Sequence, residues 1–310
     1  MKAVDSLADP RQIDRLVGGD AGPTFIVVGA VHGNEPAGVN AAREVLARLR
    51  HEGTAIHGEI IALTGNVRAL AGGKRYLARD LNRQWTSELV AAARAGVAGS
   101  YAGSVEPELQ EVVELAHDLD AAIARARGQV FVLDLHTTSA EGPAFAVVGE
   151  TGAHRAFAAA LSLPGIVGLE AQVPGVLTAY LSARWCVTVA VEGGEHASSA
   201  AEEILAAAVT VGLHASGVVA KERVPGFAAA HARLELARGD LPQRIEVVSR
   251  HAVEPEHEFR MEPGFATIQP VTAGTLLARD RTGEIRAPFD AILLLPLYQP
   301  GTDGFFLARS

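Results

Sequence analysis

TFIVVGAVHGNE, residues 24–35, decides how the rest of the chain is read. Its opening TFIVVGAV is a continuous apolar run rich in β-branched side chains, the pattern of a strand buried on both faces of a parallel sheet. Pro36 follows where a helix can begin, since the first helical turn has no use for the missing N–H. Val39, Ala42, Val45, Leu46 and Leu49 then recur at helical spacing over 37–50. A second apolar run, GEIIALTG, covers 58–65. Strand, helix and strand in that order form a crossover unit, and such units build parallel sheets.

The alternation continues downstream. Residues 104–126 predict a long amphipathic helix, opened by Ser104 and by the acidic Glu106 and Glu108 near its positive end. QVFVLDL at 129–135 predicts another strong strand, and 145–148 and 187–191 predict two more. The Ala-rich stretch 198–215 predicts a helix with Ser198 and Ser199 as capping candidates. AAARAGVAGSYAG at 91–103 predicts a loop. After about 217 the helical periodicity fades, and short apolar stretches (IEVVS, ATIQPV, TLLAR, AILLLP) alternate with Gly and Pro turn signals. The expected fold class is α/β, with a mixed, mostly parallel sheet and helices on both faces over 1–217. A smaller β-rich C-terminal domain over 218–310 follows, with the boundary between 215 and 225.

The 310 residues are 48% hydrophobic, enough to bury a sizeable core, and the formal net charge is −9. An acidic chain without a basic run predicts no nucleic-acid partner and no anionic membrane surface. The polar start MKAVDSLADPRQIDRL lacks the apolar core of a secretory signal, and no apolar run approaches the ~20 residues of a bilayer span. A single cysteine, Cys186, excludes an intrachain disulfide and suits a reducing compartment. The expectation is a cytoplasmic protein with a small-molecule substrate. A homo-oligomer is compatible with the sequence.

His32 and Glu35 stand three apart in a Gly-containing turn just after the first strong strand. Ligand sites of open α/β sheets lie beyond the carboxyl ends of the strands. Imidazole nitrogen and carboxylate oxygen suit zinc. His136, in DLHTT, also ends a buried strand. If that strand neighbours the first, two imidazoles and one carboxylate meet at one sheet edge and leave a coordination position for water. The bland alternative is three polar loop residues capping strand ends, and the placement of both sites after strongly apolar strands weighs against it. His51, His57, His251 and His257 lack that placement and read as surface residues.

The segments GAVHGNEPAG, RYLARDLNR, LDLHTTS and VAVEGG resemble, in order and spacing, the succinylglutamate desuccinylase and aspartoacylase family, a branch of the zinc carboxypeptidase-like fold. The C-terminal stretch from GFATIQPV to PLYQPGTDGFF resembles the β-rich end of its bacterial members. The resemblance implies one Zn2+ per chain, held by His32, Glu35 and His136. It implies that Glu192 is the general acid/base and that Arg75 polarises the scissile carbonyl of a small N-acyl substrate. It makes Asn82 and Arg83 a clamp for the substrate carboxylate and Tyr298 a substrate-binding candidate. Independently, Glu192 ends an apolar strand, where burial raises a carboxyl toward the range useful for proton transfer. Guanidinium keeps its charge and offers forked donors, which suits Arg75 and Arg83; Arg79 reads as a solvated neighbour.

Two departures from the family stand out. The family member acting on acetylaspartate uses an extra Arg before the catalytic Glu, and Arg184 lies near that place without matching its spacing. Glu195 and His196, just after Glu192, serve either the site or the cap of the next helix. The expected activity is hydrolysis of the amide bond of an N-acyl amino acid or related compound. The alternatives are a carboxypeptidase-like peptidase, disfavoured by the short separation of His136 and Glu192, and a non-catalytic N-acyl ligand-binding protein.

Overall fold

The computed structural model describes residues 10–96, 100–101, 104–196, 198–299 and 301–310. The chain opens with strands β1 (Gln12–Val17) and β2 (Asp20–Gly29), helix α1 (Ala37–His51) and strand β3 (His57–Thr64). Helices α2 (Val67–Ala71) and α3 (Ser87–Arg94), the short strands β4 (Ser100–Tyr101) and β5 (Ser104–Val105) and helix α4 (Pro107–Arg125) follow. Next come β6 (Val130–Thr138), β7 (Phe145–Val148), α5 (Gly152–Ala160), β8 (Gly165–Val167), α6 (Leu169–Gln172), α7 (Leu177–Ser182) and β9 (Val187–Glu195). Helices α8 (Ser199–Ala215) and α9 (Phe227–Arg238) precede β10 (Arg244–Ala252). The remaining strands are β11 (Arg260–Met261), β12 (Gln269–Val271), β13 (Leu276–Asp280), β14 (Gly283–Arg286), β15 (Ala291–Leu294) and β16 (Asp303–Arg309).

Among the described residues the main sheet has eleven strands in the order β1-β3-β2-β6-β9-β7-β8-β10-β16-β15-β12. From β3 to β10 the neighbours are parallel except for β7 against β9, and antiparallel strands extend the sheet through β16, β15 and β12. The continuous apolar run of β2 has a direct cause in this layering. Phe25 and Val27 enter the core beneath α1 and α8, whereas Ile26 and Val28 enter the core beneath α4. All four are fully buried. Each such side chain contributes about 1.5–3 kcal/mol of transfer free energy, so a polar replacement on either side of the strand opens one layer.

β2 is followed in the chain by β3 on one side, and β6 lies on its other side, so the crevice between β2 and β6 is the point where strand order reverses. That is where ligands bind in open sheets. In register, Gly29 pairs with Leu135 and His136 pairs with Glu192. The end of β2 and the ends of β6 and β9 therefore meet at one edge.

Three boundaries differ from the sequence reading. The long helix starts at Pro107, with Glu106 at its cap, and Ser104 belongs to a short strand pair. Proline at the first helical position defines that start more firmly than a preceding serine. Helix α3 carries order through Arg94, into the expected loop 91–103; residues 97–99, 102 and 103 of that loop lie outside the described residues. After 217 the structure has a helix, α9, which buries only Leu234 and packs on α8. With so narrow an apolar face its periodicity is faint. The main sheet runs past 217 without a gap, and β11, β13 and β14 form a separate small sheet. His251 is half-buried, with its ring stacked on Phe305 at 4.9 Å between centroids, so it is a packing residue and not a surface one.

Candidate metal centre and active site

The turn after β2 is built tightly. Ala30 sits at φ +55°, an unusual conformation for a residue with a Cβ, and turns the chain out of the sheet. A Cβ on Gly33 would come within 2.2 Å of the Ala69 backbone, so the turn can lie directly on α2 only with glycine there. Gly33 N donates to Arg75 O at 3.0 Å, and Glu35 N donates to His32 O at 3.1 Å. The first contact ties this turn to the segment 75–83; the second brings His32 and Glu35 to one side.

Glu35 lies between the two imidazoles. Its Oε1 is 2.9 Å from His32 Nδ1, its Oε2 is 3.2 Å from His136 Nδ1, and Thr137 N donates to Oε2 at 3.0 Å. One ligand atom from each of the three residues lies within 4.8 Å of the others, and all three residues are buried. Behind each ring stands a second carboxylate. His32 Nε2 is 3.1 Å from Asp80 Oδ1, and His136 Nε2 is 3.1 Å from Asp134 Oδ2. Each imidazole thus has one nitrogen facing Glu35 and the other facing an aspartate, the arrangement that orients ring ligands of a metal. Asp134 Oδ1, the other oxygen of that carboxylate, is buried without a hydrogen-bond partner. Two imidazole nitrogens and a carboxylate oxygen that converge in this way are a donor set that fits a zinc ion, with His32, Glu35 and His136 as its holders.

Electrostatics follow from this crowding. Burial pushes the Glu35 carboxyl up, but His32 and His136 outweigh it and hold the group well below the ordinary carboxylate range. Burial likewise opposes ionisation of Asp80, and His32 and Arg75 override it. Burial disfavours the charged His136 ring, yet Asp134 and Glu35 raise it well above an ordinary imidazole. Glu192 goes the other way. Burial, with Glu35 and Asp134 nearby, pushes its carboxyl up to about 8 against the pull of His136 and Arg75. Its Oε2 is buried and has no hydrogen-bond partner.

Arg75 is held by two of these carboxylates, with Nη2 donating to Asp80 Oδ2 at 3.0 Å and Nη1 to Glu35 Oε1 at 3.4 Å. Asp80 also accepts from Asn82 N at 2.9 Å, which caps the short 3-10 turn Leu81–Arg83. Asn82 Oδ1 accepts from Leu177 N at 2.9 Å, joining this turn to α7. Arg83 donates from Nη2 to Asp303 Oδ2 at 2.5 Å, and Arg250 donates from Nε to the same carboxylate at 2.6 Å.

One cavity of about 150 Å³ takes in His32, Glu35, His136, Glu192, Arg75, Asn82 and Arg83. Another wall comes from residues 295–297, 299 and 301–303, which lie after β15 and reach the start of β16. Tyr298 is the exception among the predicted site residues. Leu295, Pro296, Leu297 and Gln299 line the cavity, and Tyr298 does not. Its hydroxyl accepts from Phe265 N and donates to Glu262 O, both at 2.9 Å. Arg184 also stays outside, paired with Asp120 and bonded to Tyr180. Arg79 pairs with Glu106 at the surface. His196 sits at the rim, 2.7 Å from Thr137 Oγ1 and 3.4 Å from Gln299 Oε1, while Ser198 takes the cap position of α8. Sequence reasoning missed Asp80, Asp134, Gln299 and Asp303. For the first two a signal existed, an aspartate two residues before Asn82 and another two before His136, on the same strand face.

Comparison with known proteins agrees with this picture. The succinylglutamate desuccinylase/aspartoacylase catalytic domain matches residues 21–235. A probable aspartoacylase from Parasynechococcus marenigrum (strain WH8102) is 32% identical over 178 residues, 54% of this chain and 52% of that protein. The chain thus spans about half the length of this curated relative. A succinylglutamate desuccinylase/aspartoacylase from Rhodobacter sphaeroides superposes with a TM-score of 0.67 at 19% identity, covering 96% of this chain and 88% of its own. The product-bound ectoine utilization protein EutE (DoeB) from Ruegeria pomeroyi gives 0.63 at 20% identity, covering 94% and 87%. At such identities the solved structures establish the shared fold. The family match extends over most of the chain, from β2 through α9, and takes in every residue of the His–Glu–His set and Glu192: the chain belongs to the succinylglutamate desuccinylase/aspartoacylase family.

Proposed function

We propose that this chain is a zinc-dependent hydrolase that cleaves the amide bond of a small N-acyl amino acid or related N-acyl compound, using one ion per chain. The observation that carries the proposal is the register of β6 and β9. It sets His136 of the His–Glu–His set beside Glu192, whose Oε2 is buried and unpartnered, in the wall of one cavity. A carboxyl placed there has a free oxygen with which to take a proton.

His32, Glu35 and His136 would hold the zinc, which would supply Lewis-acid chemistry toward water and the scissile carbonyl. Glu192 accepts the proton of the attacking water and returns it to the leaving nitrogen. Burial raises this carboxyl to about 8, close enough to neutral pH for a group that first takes a proton and then returns it. Arg75, already fixed by Asp80 and Glu35, donates to the oxyanion that develops on the acyl carbon. Such a preorganised donor is worth about 3 kcal/mol in the transition state. Asn82 and Arg83 hold the substrate carboxylate, and Asp80 and Asp134 keep the imidazoles in place. Tyr298 has no part in this scheme, since its hydroxyl is engaged elsewhere.

The division at residue 217 enters the proposal as a division of labour. Residues 1–217 supply the metal and proton-transfer groups, and 218–310 supply the wall at 295–303. The cavity volume of about 150 Å³ suits a small N-acyl compound better than a peptide chain. Among the described residues no helix is long and apolar enough to cross a membrane. With the net charge of −9, we propose a cytoplasmic enzyme without a nucleic-acid partner.

The test is a panel of N-acyl amino acids and C-terminally unblocked peptides given to the zinc-loaded protein. Release of free amine from the N-acyl amino acids is expected. Faster turnover of the peptides rejects the substrate class, and binding without hydrolysis across a broad acyl library rejects the enzyme reading.

A further inference from the structure

Away from the metal site the cavity becomes apolar. Ala190 stands on β9 between Asp134 of β6 and Val147 of β7, in register with both, and forms a floor that leads from the ion site toward α6. Val176 and Phe306 line this end as well. One charged group interrupts it. Glu170, on α6, lines the cavity, and its Oε1 is buried without a hydrogen-bond partner. Thr178 supplies its one side-chain hydrogen bond, and burial together with Asp134 and Glu150 raises the carboxyl. A carboxylate oxygen shut away from both water and donors costs free energy unless a ligand brings a donor to it.

The positive charges in the cavity bear on the same question. Among the described lining residues, Arg75 and Arg83 are the only arginines, and there is no lysine. Arg75 is held by Asp80 and Glu35, and Arg83 shares Asp303 with Arg250. One substrate carboxylate can be met by Arg83 and Asn82. A second carboxylate would find no cation at the apolar end and would face Glu170.

Resting on the function proposed above, we propose that Glu170 is a specificity-determining residue: the cavity takes an N-acyl amino acid with a single carboxylate and with an ammonium group at the end of a short apolar arm, set against Glu170. An ammonium gives a buried carboxylate the strongest available donor, and the methylenes of the arm cover Ala190, Val147 and Phe306. The arm belongs to either half of the substrate, the amino-acid side chain or the acyl group. The chemistry at Glu170 is the same for both.

The experiment compares kcat/KM of the zinc-loaded protein on Nα-acetylornithine, Nα-acetylnorvaline and Nα-acetylglutamate. These share the scissile bond and differ at the end of the arm. A second pair, an N-(ω-aminoacyl)alanine and the N-acylalanine of equal chain length, places the ammonium on the acyl side. In whichever pair carries the arm, the ammonium compound should exceed its apolar partner about tenfold or more, and the glutamate derivative should be the poorest of its set. In Glu170→Gln the ammonium preference should collapse toward unity while turnover of the apolar partner changes little. Glu170→Arg should turn the preference toward the glutamate derivative. A wild-type preference for the glutamate derivative overturns the proposal, as does an ammonium preference that survives Glu170→Gln. If no N-acyl compound is hydrolysed, the hydrolase reading fails separately. Calorimetric binding of ornithine, norvaline and glutamate and of the two alanine derivatives then decides the role of Glu170 by the same order of preference.

Discussion

Two buried clusters of charge lie side by side in this molecule, and they differ in how completely they are paired. The first joins β1, α2 and α4. Glu111 accepts from Arg11, from the backbone N–H groups of Val67 and Arg68, and from Arg68 Nη1. Glu108 accepts from the N–H groups of Leu77, Ala78 and Arg79 at 2.6, 2.9 and 3.2 Å, and from Asn66 Nδ2. Neither carboxylate has an unpartnered buried oxygen. The second cluster is the one around Glu35, where Glu192 Oε2 and Asp134 Oδ1 lack partners. A cluster that satisfies itself is scaffold. A cluster that leaves polar atoms waiting is built for something that arrives. The two are linked, because the segment pinned by Glu108 is the one that carries Arg75, Asp80, Asn82 and Arg83.

The largest expected effect lies in the second cluster. His136→Ala should reduce bound zinc to background and turnover below detection, checked by metal analysis of the purified variant alongside the N-acyl assay. Glu192→Gln should keep the zinc and lower kcat about 10³-fold, the range for a lost general acid/base. Near-normal turnover in that variant would remove Glu192 from its role. Arg75→Met should lower kcat about 10²-fold with the metal retained.

Stability should separate the clusters by sign. Glu108→Ala strands three backbone donors and should cost about 3 kcal/mol in denaturant unfolding. In the metal-free protein Glu192→Gln should do the reverse at high pH. The Glu192 carboxyl is raised from 4.5 to about 8 in the folded chain, so its contribution is fully present below pH 4.5 and is lost as pH rises through about 8. At pH 9 metal-free Glu192→Gln should therefore melt above metal-free wild type, with the gap closing toward pH 4.5. Equal melting at both pH values would contradict the assigned burial of that carboxyl.

The difference between the clusters also marks what could be read from the sequence. The meeting of His32, Glu35, His136 and Glu192 at one sheet edge was legible because each stands at the end of an apolar strand or just after one, and strand patterning fixes which residues reach that edge. The order β3-β2-β6-β9 was not, since pairing depends on contacts distant in the chain. Asp303 and Gln299 were hidden for the same reason: they reach the cavity from the far end of the chain on a segment without periodicity. Tyr298 lies on an irregular segment whose side-chain directions no sequence period fixes, and α9 was missed because a single buried leucine leaves no stripe to detect. Glu108 read only as an acidic residue opening a helix and Glu111 carried no signal, and only the loop packed on that helix shows what they hold.

The most direct test is a zinc titration of the metal-free protein followed by calorimetry, with hydrolysis of an N-acyl amino acid measured at each step. Saturation at one ion per chain is expected, with activity rising in proportion. Tightening of binding as pH rises should follow, since the proton that Asp134 and Glu35 hold on His136 must leave for the ion to bind. Zinc uptake undiminished in His136→Ala, or full activity without the ion, would contradict the account.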